Sequence, residues 1–303
     1  MDSVELYFFS GTGNSLFVAK DLASKLNGEL ISIETLSTQK TIEPNAERVG
    51  IIFPVYFAEL GGIPNIVNEF IKKLDGIQDK YVFAVCTHHG LPGMTIGNLK
   101  KLIANQGGSL KAGFTVNLHI SYPLKLKLRK AFFHKNIDIF DTNLKNLDQV
   151  PKKLNKWAEK QNEIVTYVKA NKSGKFETQG FIKKALLAPH RLLMKLSYKT
   201  RYSNLAESKM PFQELIKHAD NSFQVYDSCT GCGICAKVCP VNNIEIIGEK
   251  PVWNHKCENC LSCFTFCPNN SIHGEIVSYE IKYHLPQIKL KDMLRKRNKL
   301  QAN

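Results

Sequence analysis

Short apolar runs alternate with helical patterns along the first part of the chain. Five runs have the length and the content of β-branched and aromatic residues that are typical of buried strands. They cover about residues 3–9, 29–34, 48–56, 80–87 and 109–118. Apolar residues at helical spacing lie between them, at about residues 15–28, 62–74 and 94–106. This alternation predicts an α/β fold with a parallel sheet that helices cover on both faces.

Two of the predicted helices have a clear inward face. The first is capped by Gly28, and its inward positions are Leu16, Ala19, Leu22, Ala23 and Leu26. The second spans about residues 150–171 and completes the sheet, with inward positions Leu154, Trp157, Ile164 and Val168. Residues 119–150 then form an insertion before it. Cys86 lies inside an apolar run and is predicted to be a buried core thiol.

Ligands of parallel sheets bind at the carboxyl ends of the strands, where residues 10–15, 54–58 and 87–90 emerge. The first of these loops reads SGTGNS. It lacks the Lys of a nucleotide-binding Walker loop, and Leu16 stands where a dinucleotide fingerprint has its third Gly. Its hydroxyls and backbone N–H groups at a helix N-terminus suit one phosphate dianion. A monophosphate therefore fits better than a polyphosphate.

SGTGNS resembles the flavodoxin phosphate loop, [ST]-x-T-G-x-[ST], which also follows the first strand. The resemblance implies bound FMN, with Tyr56 or Phe57 on one face of the flavin ring and His88 or His89 near the other. The implied FMN-binding residues are Ser10, Thr12, Gly13, Asn14, Ser15, Pro54, Val55, Tyr56, Phe57, Thr87, His88, His89 and Gly90. Other interpretations stay open: a plain Gly-rich connection for the loop, a solvated pair for the histidines, and a core position for Tyr56.

Eight of the nine cysteines lie between Cys229 and Cys267. They form two copies of C-x2-C-x2-C-x3-C-P, related by an offset of 28 residues, which indicates an internal duplication. Three thiolates from one tight loop can hold three corners of an iron–sulfur cubane. A zinc site draws two ligands from each of two C-x2-C knuckles, so zinc is disfavoured, and so is a disulfide scaffold.

The repeat resembles the two-cluster bacterial ferredoxins, a small α+β domain in which the fourth Cys of each run binds the other cluster. The resemblance implies two 4Fe-4S clusters. One is held by Cys229, Cys232, Cys235 and Cys267, and the other by Cys257, Cys260, Cys263 and Cys239.

The net charge of +14 is concentrated in residues 120–205, which carry 19 basic and 6 acidic side chains. Within them, residues 181–202 predict a pair of short helices interrupted at Pro189. These helices pack between the two modules, or they dock an acidic redox protein, or they lie on a membrane surface. No nucleic-acid motif accompanies the charge. No apolar run is long enough to span a bilayer, and no signal peptide is evident at the N-terminus, so we expect a cytoplasmic protein.

The combination resembles the flavodoxin–ferredoxin fusion proteins found mainly in anaerobic bacteria and archaea. It implies a flavodoxin-like, doubly wound, five-stranded sheet over residues 1–175, a basic helical linker over 176–224, a ferredoxin-like domain over 225–280 and a basic tail over 281–303. The expected function is electron transfer between FMN, the two clusters and low-potential redox proteins. An FMN-dependent reductase of a quinone, nitroaromatic or disulfide is the alternative. The sequence leaves the oligomeric state open.

Overall fold

A computed structural model describes residues 3–118, 149–178, 188–204, 210–275, 277 and 285–294. The large sheet contains β1 (Val4–Phe8), β2 (Glu29–Ser32), β3 (Arg48–Pro54), β4 (Tyr81–Thr87), β5 (Leu110–Val116) and β6 (Lys175–Phe176). Its helices are α1 (Asn14–Leu26), α2 (Asn65–Lys72), α3 (Thr95–Asn105) and α4 (Gln149–Lys169). The insertion predicted at 119–150 lies almost wholly outside the described residues.

All strands of this sheet run parallel, in the order β2-β1-β3-β4-β5-β6. The order of the first five strands, 2-1-3-4-5, is the flavodoxin-like form of the doubly wound sheet. All five predicted strands are confirmed. The prediction of five was short by one, because β6 pairs with β5 over only two residues and is too brief to give a sequence pattern.

Two hydrophobic clusters cover the two faces of the sheet. On one face, α1 and α4 bury Leu22, Trp157, Ile164 and other side chains against the strands. On the other face, α2 and α3 bury side chains such as Phe70 and Leu99. The predicted inward positions of both helices are confirmed, although Gly28 is not the left-handed cap of α1. Asn27 takes that conformation, with φ 51°.

The segment after β6 contains α5 (Ala188–Ser203), α6 (Phe212–Lys217) and a 3-10 turn over Ala219–Ser222. Pro189 was predicted to separate two short helices, and α5, at the place of the second, begins beside it. Pro189 lies in the first turn of α5, where the missing N–H has no intrahelical partner to lose. Residues 181–187, the first part of the predicted helix pair, lie outside the described residues.

The C-terminal part contains β7 (Gln224–Val225), α7 (Ile234–Val238), β8 (Ile244–Ile247), β9 (Lys250–Trp253), α8 (Ser262–Phe266) and β10 (Ile272–His273). β7 pairs with β10 and β8 pairs with β9, both antiparallel. The fold is therefore mixed: a parallel α/β sheet joined to a small ferredoxin-like α+β region.

The segment 285–294 was predicted to belong to a basic tail, but it packs against the large sheet module. It contains α9 (Leu290–Met293), and it buries Leu285, Ile288 and Met293. Lys20 of α1 donates a hydrogen bond to Asp292 at 2.6 Å, so the segment is tied to the first helix at its surface. Its buried apolar side chains thus anchor the segment to the sheet module.

Candidate functional site

Each copy of the cysteine motif contributes to two separate cavities. One cavity, partly open to solvent, is lined by Cys229, Cys232, Cys235 and Cys267. The other, also partly open, is lined by Cys239, Cys257, Cys260 and Cys263. We call these sets the outer tetrad and the inner tetrad. Each combines three thiols of one loop with one thiol of the other loop, which are the groupings that the ferredoxin resemblance implied.

The duplication is also present in the backbone. Three positions per copy adopt positive φ: Gly231, Gly233 and Asn242 in the first, and Asn259, Leu261 and Asn270 in the second. Each pair is separated by the same 28 residues as the cysteines. Left-handed residues turn the chain tightly so that successive thiols face one cavity. A leucine at φ 56° is unusual, and its strain is accepted where the loop must bend.

Backbone N–H groups point at the thiols in both copies. Asn243 N–H donates to Cys239 Sγ at 3.2 Å, and Ser271 N–H donates to Cys267 Sγ at 3.3 Å. Asn259 N–H donates to Cys257 Sγ at 3.2 Å. Hydrogen bonds to cluster sulfurs stabilise added negative charge and set reduction potentials. These contacts suit thiolate ligands of an iron–sulfur cluster.

The two tetrads differ in exposure. Cys239 and Cys263 of the inner tetrad are buried, whereas Cys232 of the outer tetrad is exposed. Burial raises the pKa of Cys263 well above that of an ordinary thiol, and that of Cys235 to about 11. A metal centre would offset this cost, because coordination removes the proton.

The state of the cysteines in the structure can be described directly. All nine lie in the described part of the chain, and none forms a disulfide. Within the described ranges, no group of three or more His, Cys, Asp or Glu is placed to hold a single metal ion. Thiols that surround a cavity suit a cluster better than one zinc ion.

At the other module, the loops after β1, β3 and β4 meet as predicted. Ser15 and Thr87 share a hydrogen bond of 2.7 Å between their hydroxyls, although they are 72 residues apart. Ser10 Oγ accepts a hydrogen bond from Gly13 N–H at 3.1 Å, which closes the loop. Pro54 is opposite Thr87 in the strand register. The predicted phosphate-loop residues thus lie beside the crevice where the strand order reverses.

Two buried polar atoms at this edge have no hydrogen-bond partner in the described part of the chain: Asn14 Oδ1 and His88 Nδ1. An unpartnered buried polar atom is costly and normally marks a bound water, ion or ligand. Asn14 begins α1, whose N-terminus favours an anion. Asn14 therefore fits the phosphate of FMN, because its amide can turn its NH2 group towards the phosphate.

The structure places the residues predicted to flank the flavin ring in different surroundings. Tyr56 packs edge-on against Phe9 at 6.1 Å, beside the phosphate loop. His88 is largely buried, which lowers its pKa to about 4 and keeps the ring neutral, whereas His89 and Gly90 are exposed. Phe57 turns away, towards the ferredoxin-like side.

Phe57 enters an aromatic cluster formed with the linker helices. Its ring meets Tyr198, Tyr202 and Phe212 edge-on, at centroid distances of 5.4, 5.7 and 5.1 Å. Its φ of 50° is in the left-handed region. Phe57 therefore joins the two modules in this structure.

The loop of the inner tetrad lies directly on the phosphate loop. Ser262 Oγ donates to the backbone carbonyl of Gly11 at 2.7 Å, in a buried position. A Cβ at Gly11 would lie 2.6 Å from the Cys260 carbonyl oxygen, so only glycine permits this approach. Ile288 covers Gly13 in the same way, with Cγ2 2.6 Å from a would-be Cβ. The inner tetrad and the candidate phosphate site are thus immediate neighbours.

Glu258 supplies a further link between the modules. Its buried carboxylate accepts hydrogen bonds from the backbone N–H groups of Asn65 and Ile66, at the N-terminus of α2. Burial raises its pKa to about 7, while these hydrogen bonds oppose the rise. Sequence reasoning missed Ser262 and Glu258, since both stand at variable positions inside the cysteine motif and carry no signal of their own.

Comparisons found known proteins that are similar to parts of this chain. A model of the 4Fe-4S binding domain family matches residues 224–245. An uncharacterized polyferredoxin-like protein of Methanocaldococcus jannaschii is 36% identical over 66 residues, a match that covers 17% of this chain and 39% of that protein. This chain therefore spans about two fifths of that relative's length.

Solved flavodoxin structures are among the matches to part of this chain. The flavodoxin of Streptococcus pneumoniae TIGR4 is 15% identical, with a TM-score of 0.30 over 37% of this chain and 81% of that one. Two-electron reduced Megasphaera elsdenii flavodoxin is 16% identical, with a TM-score of 0.28 over 38% and 85%. The flavodoxin-like assignment rests on the strand order of this chain itself. None of its described helices is both long and apolar enough to cross a bilayer.

Proposed function

We propose that this chain, which joins a flavodoxin-like sheet to a ferredoxin-like 4Fe-4S region, relays electrons between FMN, two 4Fe-4S clusters and external redox proteins. The observation that carries the proposal is the contact between the loop of the inner tetrad and the phosphate loop, through Ser262 and Gly11. Two redox sites on one chain gain from such contact, since electron transfer needs close approach. Bound FMN exchanges one or two electrons and each cluster exchanges one.

The residues of the chain have distinct parts in this proposal. Thr12 and Asn14, with the N-terminus of α1, hold the phosphate. Ser10 and Ser15 keep the loop in shape through their hydrogen bonds to Gly13 and Thr87. His88 stays neutral above about pH 4, so it presents a polar but uncharged group beside the ring.

The order of the sites follows from their exposure. The inner tetrad contacts the flavin module, and the outer tetrad includes the exposed Cys232. We place the exchange with partner proteins at the outer tetrad. The basic residues of 120–205 suit a partner with an acidic surface, because opposite charge speeds encounter. In the reducing cytoplasm, the cysteines of this chain would stay in the thiol form rather than form disulfides.

Anaerobic purification followed by iron and flavin analysis tests the proposal. Two cubanes and one flavin give about eight iron atoms and one FMN per chain. Zinc in place of iron, or the absence of flavin, would refute it. Saturable turnover of one small molecule, with no electron exchange with redox proteins, would favour a reductase instead.

A pair of variants tests the crossed ligand sets. Cys267→Ala removes a thiol from the outer cavity, and Cys239→Ala removes one from the inner cavity. We expect the first variant to perturb the spectrum of the cluster held by Cys229, Cys232 and Cys235, and the second to perturb the other. If each change affects the cluster of its own loop, the ligand sets are not crossed.

A further inference from the structure

A buried carboxylate lies behind the inner tetrad. The side chain of Asp220 is fully buried, and it sits in the 3-10 turn before the ferredoxin-like region. Its Oδ2 accepts a hydrogen bond from Asn243 Nδ2 at 2.6 Å, and its Oδ1 pairs with His255 Nδ1 at 2.8 Å. Burial of a carboxylate costs free energy even when two polar groups bond to it, so Asp220 is a candidate for a functional role.

Asn243 connects this carboxylate to the inner tetrad. Its backbone N–H donates to Cys239 Sγ, and its side-chain oxygen accepts from Lys256 N–H at 2.6 Å, next to Cys257. Asn243 is itself buried. The carboxylate of Asp220 is thus linked through Asn243 to a thiol of the inner tetrad.

The outer tetrad has the same backbone contact without the charge. Ser271 is 28 residues after Asn243, and its N–H donates to Cys267 Sγ. The hydroxyl of Ser271 bonds to that of Ser228 at 2.9 Å. At the position where Asn243 holds a carboxylate, Ser271 thus holds a neutral hydroxyl. The internal duplication supplies a built-in comparison between the two tetrads.

Solvent screens the charge of Asp220 less than it screens charge on the His255 ring. The side chain of His255 is 51% exposed and stacks on His218, so water screens charge on its ring. Asp220 has no such contact with water. A buried charge acts more strongly on its surroundings than an exposed one.

We propose that Asp220 holds the reduction potential of the inner cluster below that of the outer cluster. This rests on the proposed function, because it requires both clusters. Reduction adds one electron to a cluster, and a nearby fixed negative charge opposes it. An electron that enters the chain therefore settles in the outer cluster, beside the exposed Cys232, where a partner can collect it.

Asp220→Asn tests the inference, since it removes the charge and keeps the shape. Its amide oxygen can accept from Asn243 Nδ2, and its NH2 group can donate to an unprotonated His255 Nδ1. Anaerobic titration with dithionite, followed by electron paramagnetic resonance, gives the two midpoints. We expect the lower midpoint potential to rise by at least about 59 mV, which corresponds to a tenfold change in the equilibrium constant of a one-electron reduction. Cys232→Ser, which alters the outer tetrad alone, identifies the outer midpoint.

Two further variants provide controls. Glu249→Gln removes an exposed charge next to Gly231 of the outer loop, and we expect both midpoints to stay in place. Asp220→Glu keeps the charge, and we expect its midpoints to remain in their original order. An unchanged lower midpoint in Asp220→Asn, with about eight irons retained, would overturn the inference and leave the two-cluster proposal intact. Fewer than eight irons in the unaltered protein would overturn the two-cluster proposal instead.

If Asp220→Asn does not retain its iron, Ser271→Asp makes the complementary change. Ser271 is buried and its N–H donates to Cys267 Sγ, so the new carboxylate stands beside the outer tetrad where solvent does not screen it. The inference then predicts that the outer midpoint falls towards the inner one. A separation that stays the same would overturn it.

Discussion

Replacement of Phe57 tests how firmly the two modules are joined. The Phe57 ring makes three edge-on contacts with linker aromatics, at 5.1 to 5.7 Å. Phe57→Ala removes all three and leaves the backbone at φ 50°. Phe57→Gly removes the same contacts, but it also relieves a conformation that costs any residue with a Cβ. The pair therefore separates the packing from the backbone strain.

The magnitudes follow from typical values. Three aromatic pairs at about 0.5–1.5 kcal/mol each give about 1.5–4.5 kcal/mol for Phe57→Ala. The left-handed conformation costs about 1–2 kcal/mol for a non-glycine residue. Glycine recovers part of that cost and loses some through its freer unfolded chain. We expect Phe57→Gly to be less destabilising than Phe57→Ala by about 1 kcal/mol.

Amide hydrogen exchange in α6, which carries Phe212, reports this change locally. At about 1.4 kcal/mol per factor of ten, exchange in Phe57→Ala should accelerate about 10-fold to 2,000-fold. Leu91→Ala, at a surface position 38% exposed, should leave it unchanged. Unaltered exchange in Phe57→Ala, or faster exchange in Phe57→Gly than in Phe57→Ala, would refute this account of the aromatic cluster.

Three further predictions concern the flavin side. Thr12→Ala combined with Ser15→Ala should weaken FMN retention, because the loop loses two hydroxyls, and should leave the iron content intact; iron loss would show that the modules depend on each other. Gly13→Ala should lower the free energy of unfolding by about 1–3 kcal/mol, since Gly13 has a φ of +98° and a Cβ there meets Ile288. Adding Ile288→Ala should restore part of the loss, and no recovery would mean that the backbone conformation alone is responsible. His88 has a folded pKa of about 4, below its ordinary 6.5, so the unfolded state binds the proton first and stability should fall as pH drops from about 6.5 to 4. Denaturant titrations across that range should show a shallower fall in His88→Gln, and equal slopes would contradict the assigned burial.

The large sheet was predictable because its central strands are buried on both faces. Runs such as that of β4, buried at every position, have no polar interruption, so their limits follow from the sequence within a residue or two. The cysteine tetrads were equally readable, since thiols at a fixed spacing have few other uses. β6 was not, because two residues that form a strand only beside β5 leave no periodic pattern.

The contacts between the modules left no comparable signal. Ser262 and Glu258 look like ordinary polar residues of a tight loop, and their partners are a backbone carbonyl and two backbone N–H groups. Backbone N–H and C=O groups are alike at nearly every residue, so the sequence does not show which of them a side chain will contact. Phe57 likewise reads as a flavin contact until Tyr202 and Phe212 are placed around it. Sequence patterns describe the modules, whereas docking depends on surfaces that meet only in three dimensions.

The sharing of thiols between the two cysteine loops bears on how such a protein arises. Each cavity takes three thiols from one copy of the repeat and one from the other. A single ancestral copy therefore resembles half of an intertwined dimer rather than a smaller complete domain. Fusion of two copies in one gene makes that exchange permanent. Afterwards, the copies can diverge, as Asn243 and Ser271 have done, without either cavity losing its fourth thiol.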